Sequence, residues 1–219
     1  MRPKLTIRNI ASCLSFDLQI DLDAITMSNG FKQDKKKLFA SIIWMQSPRS
    51  SALVFQKGRA VVVGATNETM ALLAGIRLYR MLKTQVPELK FRNFAVTNLL
   101  ATGHFGVPID LHRLAAEHPL RTNFQPSLFP GLSFDVPHPY GRGRLTANVF
   151  VGGSVVIAGA CSLRDMESRL AVLWRLVSKY AVNDPKRAEE LARDRDRESA
   201  LVDGIVRKVE TDAAEPEDG

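Results

Sequence analysis

The side chains best suited to covalent or metal chemistry do not gather into a catalytic pattern. The four histidines, His104, His112, His118 and His138, show no metal-ligand spacing, and Cys13 and Cys161 belong to no CxxC or Cys/His cluster. There is no GxSxG elbow, phosphate-binding loop or zinc-deaminase signature, so no nucleophile is set beside a base. We expect no enzyme, no metal, no cofactor and no small-molecule substrate. What the sequence does offer is positive charge. Residues 1–180 carry 23 Lys+Arg against 11 Asp+Glu, whereas residues 181–219 carry 7 against 12. A basic body with an acidic tail suits a nucleic-acid binder, although a solvated basic surface has the same composition.

The elements that must position these charges follow from an internal repeat, the first thing to seek in any sequence. Ala52–Thr66 reads ALVFQKGRAVVVGAT and Ala147–Cys161 reads ANVFVGGSVVIAGAC, with seven of fifteen positions identical at an offset of 95. RNIAS at Arg8 is echoed by TNLLA at Thr97, and LYRML at Leu78 by LWRLV at Leu173. Each half should run strand, short helix, several strands in hairpin succession, then one long helix. Lys57-Gly58 and Gly152-Gly153 are turn signals between β-branched runs. Asn67 and Ser162 can cap the long helices. The first should reach about Gln85, and the second carries a stripe of Met166, Leu170, Leu173, Val177 and Tyr180.

One long helix per half covers one face of a sheet. In the first-half hairpin Leu53, Phe55, Val61 and Val63 should point one way, and Ala52, Val54, Ala60 and Val62 the other, because strand side chains alternate. Both faces are apolar, so the uncovered one is a binding surface unless a second sheet or a second copy packs on it. With 219 residues, 45% of them hydrophobic, the chain can bury one large core or two small ones. No apolar run approaches the roughly 18 residues of a membrane span and no secretory pattern opens the chain, so a soluble intracellular protein without a membrane partner is expected.

The repeat, together with RNIAS, PRSSALVFQKGRAVVVGA, TNLLATG, FQPSLFPGL and NVFVGGSVVIAGA, resembles the TATA-box-binding protein family from about Leu5 to Tyr180. The resemblance implies an α+β fold: a curved ten-stranded antiparallel saddle of two direct repeats with helices on its convex side. It implies domains at 1–90 and 91–181, followed by a charged tail at 182–219. It further implies a transcription initiation factor that binds and bends promoter DNA from the minor groove, using apolar wedges between base steps. The wedge positions fall on Leu38 (with Phe39 beside it), Phe55, Phe129 and Phe150. Groove-floor positions fall on Asn9, Ala11, Leu53, Val61, Val63, Asn98, Leu100, Asn148, Val156 and Ala158. Asn9 and Asn98 can donate to adenine N3 and thymine O2.

Several positions depart from the family pattern. Val63 and Ala158 stand where threonines are usual, and Asn148 replaces a leucine whose first-half counterpart is Leu53. Fewer groove donors should relax TATA preference. Basic residues that would face phosphates are Lys36, Lys37, Arg49 and Arg59, joined by Lys35 and Lys57, but the second half has Asp135 and Ser154 in corresponding places. Arg142 and Arg144 compensate in part. The family's partners are factors of the TFIIA and TFIIB type, yet Gln125 and Ser127 stand where glutamates receive TFIIB, and the first long helix holds only Arg77, Arg80 and Lys83 as basic residues. The resemblance places the protein in a nucleus, or in cytoplasm if its source is archaeal or viral. An alternative is a scaffold that keeps the fold and has largely surrendered DNA. After the repeats, Lys186–Val209 has a thin stripe of Leu201, Ile205 and Val209, but a frayed charged tail suits the composition better.

Overall fold

The structure, a computed structural model, describes residues 4–25, 31–37, 40–137, 144–184, 186 and 195–212. The side chains at 31–37, 195–199 and 209–212 are outside that description. Ten strands form one antiparallel sheet. They are β1 (Leu5–Ser15), β2 (Phe31–Lys37), β3 (Ala40–Gln46), β4 (Arg49–Phe55), β5 (Arg59–Ala65), β6 (Arg92–His104), β7 (Thr122–Asn123), β8 (Leu132–Val136), β9 (Leu145–Val149) and β10 (Ser154–Ala160). Helices are α1 (Glu68–Lys83), α2 (Leu111–Glu117), α3 (Leu163–Val177), followed by a 3₁₀ turn at Ser178–Tyr180, and α4 (Arg195–Asp212). The chain divides into two compact units, Arg8–Asn98 with Lys208–Gly219, and Met1–Ile7 with Leu99–Arg207.

In the first unit the strands lie in the order β2-β3-β4-β5-β1. Ala52, Val54, Ala60 and Val62 pack with Ile43, Met45, Leu14 and Phe16 against Ala74, Leu78, Met81 and Leu82 of α1. This is the partition expected from alternation. Helix α1 starts where Asn67 accepts a hydrogen bond from the Met70 amide at 2.8 Å. Its basic last turn, Arg80 and Lys83, complements the helix dipole. The Arg77 guanidinium donates to the Ser47 carbonyl in the β3–β4 turn. Among the described residues no short helix stands between β1 and β2; part of that connection, 26–30, lies outside them.

The second unit has the order β6-β10-β9-β8-β7. Ser162 caps α3 by accepting from the Asp165 amide at 3.2 Å, and Met166, Leu170, Leu173 and Val177 are buried as the stripe requires. That face also buries Arg169, 2% exposed, which the stripe does not reveal; its Nε donates to Asp165 Oδ1 at 3.0 Å, one turn earlier. A buried guanidinium is tolerable only with such a partner.

The repeat also governs how the strand turns are buttressed. Gly58, with φ +77°, accepts from the Phe16 amide at 2.8 Å, and Gln56 from the Ile20 amide at 2.8 Å. Gly153, with φ +96°, accepts from Phe105 at 2.8 Å, and Val151 from Ile109 at 2.8 Å. A Cβ at either glycine would collide with a backbone carbonyl, that of Leu18 or Val107. Only glycine combines that dihedral with that approach.

Short helix α2 is anchored through its last residues. The Tyr180 hydroxyl lies 2.6 Å from Glu117 Oε2 and 3.0 Å from His118 Nε2, and Arg113 Nε donates to Glu117 Oε1 at 2.9 Å. The hydrogen bond from Tyr180, then that from Arg113, holds Glu117 below the usual carboxylate range. Burial, then the bond to Glu117, pushes Tyr180 up. A depressed carboxyl stabilises the fold above its unfolded pKa and loses that contribution as pH falls through the folded value. Tyr180→Phe is therefore expected to lower Tm at neutral pH and to flatten the acid limb of a Tm-against-pH curve; unchanged curves would refute the anchor.

After Tyr180 the chain is not simply frayed. Helix α4 forms, but its best-buried described residue is Val202, 8% exposed, while Leu201 of the expected stripe is 39% exposed. Ile205 is half-buried and the Val209 side chain is outside the description. The inward stripe is thus Val202, Ile205 and Val206, at spacings equally helical and less obvious among so many charges.

Candidate nucleic-acid interface

On the face of the first repeat away from α1, Ala40, Ile42 and Leu53 form a separate apolar cluster, with Phe55 and Val61 packed at its edge. Register explains the grouping: Ile42 pairs with Leu53, Leu53 with Val61 and Val61 with Cys13. The next row of the same parity is Trp44, Ser51 and Val63. Trp44 is 46% exposed, an aromatic on the expected binding face that the sequence reading did not single out. Its alternation with Ile42 was the available signal. No described helix residue joins this cluster.

Asn9 and Ala11 share this face, by alternation with Ile10, Ser12 and Leu14 on the helix side. β5 carries one extra residue between the pairs Ile10–Ala65 and Ser12–Val62, a β-bulge at Gly64, where φ is +106°. Asn9 is almost buried, and its Oδ1 accepts from the Gly64 amide at 2.8 Å. Asn9 therefore also holds the bulge, through its bond to the Gly64 amide. The same bond fixes the amide: its oxygen is engaged, and the N–H groups remain as donors. β10 repeats the device, with a shift between Ala158–Leu100 and Ala160–Leu99 and φ +109° at Gly159. Asn98 is half-buried.

The second repeat differs in its rings and in its polarity. Phe150 is fully buried and Phe129 half-buried; their rings meet edge to face at 5.7 Å over Gly131. A Cβ on Gly131 would come 2.6 Å from Phe129 Cε1 and 3.0 Å from Phe150 Cε1, so glycine makes room for the pair. Phe55 is half-buried. Leu38 and Phe39 lie outside the described residues, so the fourth wedge position has no structural account. Behind the rings the face is not uniformly apolar. It presents Ser133 and Asp135 from β8, Thr146 and Asn148 from β9, Val156 and Ala158 from β10, and Leu100 and Thr102 from β6. Asp135 occupies the row of Thr146 and Ala158, as Trp44 occupies that of Ser51 and Val63.

The described charges are unevenly placed. The row Lys37, Ala40, Phe55, Arg59 crosses four strands, setting basic positions beside the first-repeat ring. Arg49, Lys57 and Arg59 are exposed and pair with no acid among the described residues. The Lys36 and Lys37 side chains are outside the description, as is Arg142. Arg144 instead reaches Asp135 at 3.4 Å, both groups largely solvated. Gln125 and Ser127 are exposed in the turn before Phe129. Among the described residues no cluster of His, Cys, Asp or Glu could hold a metal, and no helix is long and apolar enough to cross a membrane.

A family model described as "Transcription factor TFIID (or TATA-binding protein, TBP)" matches residues 4–85 and 93–180. Among curated relatives, a TATA-box-binding protein of Caenorhabditis elegans is 30% identical over 179 residues, 81% of this chain and 52% of that protein. The chain thus spans about half the length of that relative. TATA-box-binding protein 2 of Arabidopsis thaliana is 31% identical over 156 residues, 71% of this chain and 76% of its own. A TBP-related factor of Drosophila melanogaster is 31% identical over 178 residues, 81% of this chain and 78% of its own. In structure, the Methanococcus jannaschii TBP superposes with a TM-score of 0.67 at 20% identity, covering 81% of this chain and 99% of that one.

Proposed function

Because the chain belongs to the TATA-binding protein family, we propose that it is a transcription initiation factor that binds promoter DNA in the minor groove, bends it, and has relaxed TATA specificity. The supporting observation is the first-repeat face: an apolar cluster with a half-buried phenylalanine, an exposed tryptophan and an asparagine bonded to the bulge, flanked by exposed cations. An apolar floor suits an opened minor groove, and ring insertion offsets unstacking by letting a bent duplex cover more protein. Asn9, with its oxygen engaged by Gly64, offers donors to the acceptors that every minor-groove edge presents. Val63 and Ala158 offer none. Discrimination then rests more on duplex deformability and less on groove-floor hydrogen bonds.

In this reading Phe55, Phe129 and Phe150 are wedges with Leu38 at the fourth position, and Ala11, Leu53, Val61, Asn98, Leu100 and Val156 line the floor. Lys36, Lys37, Arg49, Arg59, Arg142 and Arg144 face the backbone. Factors of the TFIIA and TFIIB type or their counterparts would join on the far surfaces, with Gln125 and Ser127 in the contact region, within a nucleus as for the eukaryotic relatives. The repeats would be 1–90 and 91–181, with a charged segment at 182–219. In a gel-shift and bending assay at one salt concentration, a TATA duplex is expected to bind less than about tenfold tighter than a GC-rich duplex, against the 10³-fold or more typical of specific over non-specific binding. Selectivity of that larger size would overturn the relaxed-specificity claim. One observation favours a second reading, an interaction scaffold: Phe150 is fully buried, so its insertion requires the ring pair to open. Absence of any bent complex would select it.

A further inference from the structure

Strand register carries a row of side chains across the uncovered face of each repeat. In the first repeat the row is Ile42, Leu53, Val61 and Cys13; in the second it is Ser133, Asn148, Val156 and Thr102. Leu53 corresponds to Asn148 and Val61 to Val156 at the repeat offset, so Ser133 and Asn148 are two adjoining polar positions where the first row has Ile42 and Leu53, and Thr102 stands where it has Cys13. Asn148 and Ser133 are each half-buried and are Cα partners across β8 and β9. Neither side chain makes a hydrogen bond among the described residues. A half-buried amide and hydroxyl side by side, satisfied by nothing among the described residues, favour a ligand that supplies hydrogen bonds.

The chemistry of that ligand follows from a contrast with Asn9. There the amide oxygen is engaged by the Gly64 N–H, which leaves only donors. Among the described residues no such donor holds the Asn148 oxygen, and a serine hydroxyl accepts as readily as it donates. In the minor groove an A·T pair presents acceptors only, whereas a G·C pair adds the guanine N2 amine, a donor. An apolar residue such as Leu53 leaves that amine desolvated and unpaired. An amide oxygen receives it.

We propose that Asn148, seconded by Ser133, accepts a hydrogen bond from the N2 amine of a guanine, so that the second repeat accommodates a G·C pair at a step where the first repeat takes A·T. The inference rests on the minor-groove reading above and assigns a base to one of its side chains. It makes Asn148 a specificity residue and not merely the loss of a leucine.

The test uses inosine, which pairs with cytosine but lacks the N2 amine. Duplexes carrying G·C or I·C at successive positions across the site are titrated with the full chain and with Asn148→Leu and Asn148→Ala, each checked for an unchanged melting profile. The wild type is expected to bind G·C at least as tightly as I·C at one or two positions. In both variants the affinity for the G·C duplex should fall about tenfold relative to that for the I·C duplex at those positions. A G·C to I·C ratio that is the same for wild type and variants at every position overturns the assignment. If no duplex binds at all, the minor-groove reading itself fails and the assignment falls with it.

Discussion

Phe150→Ala is expected to lower the unfolding free energy by about 3–5 kcal/mol, the cost of deleting a fully buried aromatic ring from a packed site. The ring is wholly inaccessible and meets Phe129 edge to face at 5.7 Å, and Gly131 has no side chain to fill the space left behind. Phe129→Ala removes a half-buried ring and should cost about 1 kcal/mol, with Phe150 newly exposed. The pair therefore separates two roles. In the proposed function both variants should abolish duplex bending at a temperature where both remain folded, although only one is strongly destabilised. Chemical denaturation gives the first quantity and a bending assay the second. Equal losses of stability would show that the two rings share one core, and normal bending by Phe129→Ala would remove it from the wedges.

The other large effect concerns charge. Arg49, Lys57 and Arg59 are exposed and pair with no acid among the described residues, so any phosphate near them releases counterions without first breaking one of the described ion pairs. Each phosphate neutralised contributes roughly 0.9 to the slope of log affinity against log salt. Replacing all three by alanine is expected to reduce that slope by about 2.7 and to weaken binding on the order of 10²-fold at about 0.2 M salt, with little change in stability. Replacing Arg144, already beside Asp135, should change the slope by less than about 0.9. A titration series in which Arg144→Ala matches the triple variant would contradict the lopsided arrangement.

Much of this architecture is legible in the chain, and what is hidden has a common cause. The match at offset 95 locates β4, β5, β9 and β10, their glycine turns and the caps of α1 and α3, because each depends on residues close in sequence. Alternation assigns Leu53, Phe55 and Val61 to one face and Ala52, Val54 and Val62 to the other, as the two clusters require. Strand register is not written in either strand alone. That Ser133 lies beside Asn148, or that Trp44 and Asp135 hold corresponding rows, follows only once the register of β3 on β4 and of β8 on β9 is known. A one-residue slip would turn either strand over. The burial of Arg169 and Val202 escapes the sequence for a related reason, since a charged helix reveals its inner stripe only when something packs on it.

The unlike rows of the two repeats have a consequence for direction. A protein whose halves were chemically identical would sit on a promoter equally well either way round, and whatever assembled on it would point upstream as often as downstream. Here one half is apolar, aromatic and cationic where the other carries Ser133, Asp135 and Asn148. A difference of about 1.4 kcal/mol between the two placements already gives a tenfold bias. In the proposed function the inequality between repeats is thus itself information: it lets the protein mark which strand is to be copied.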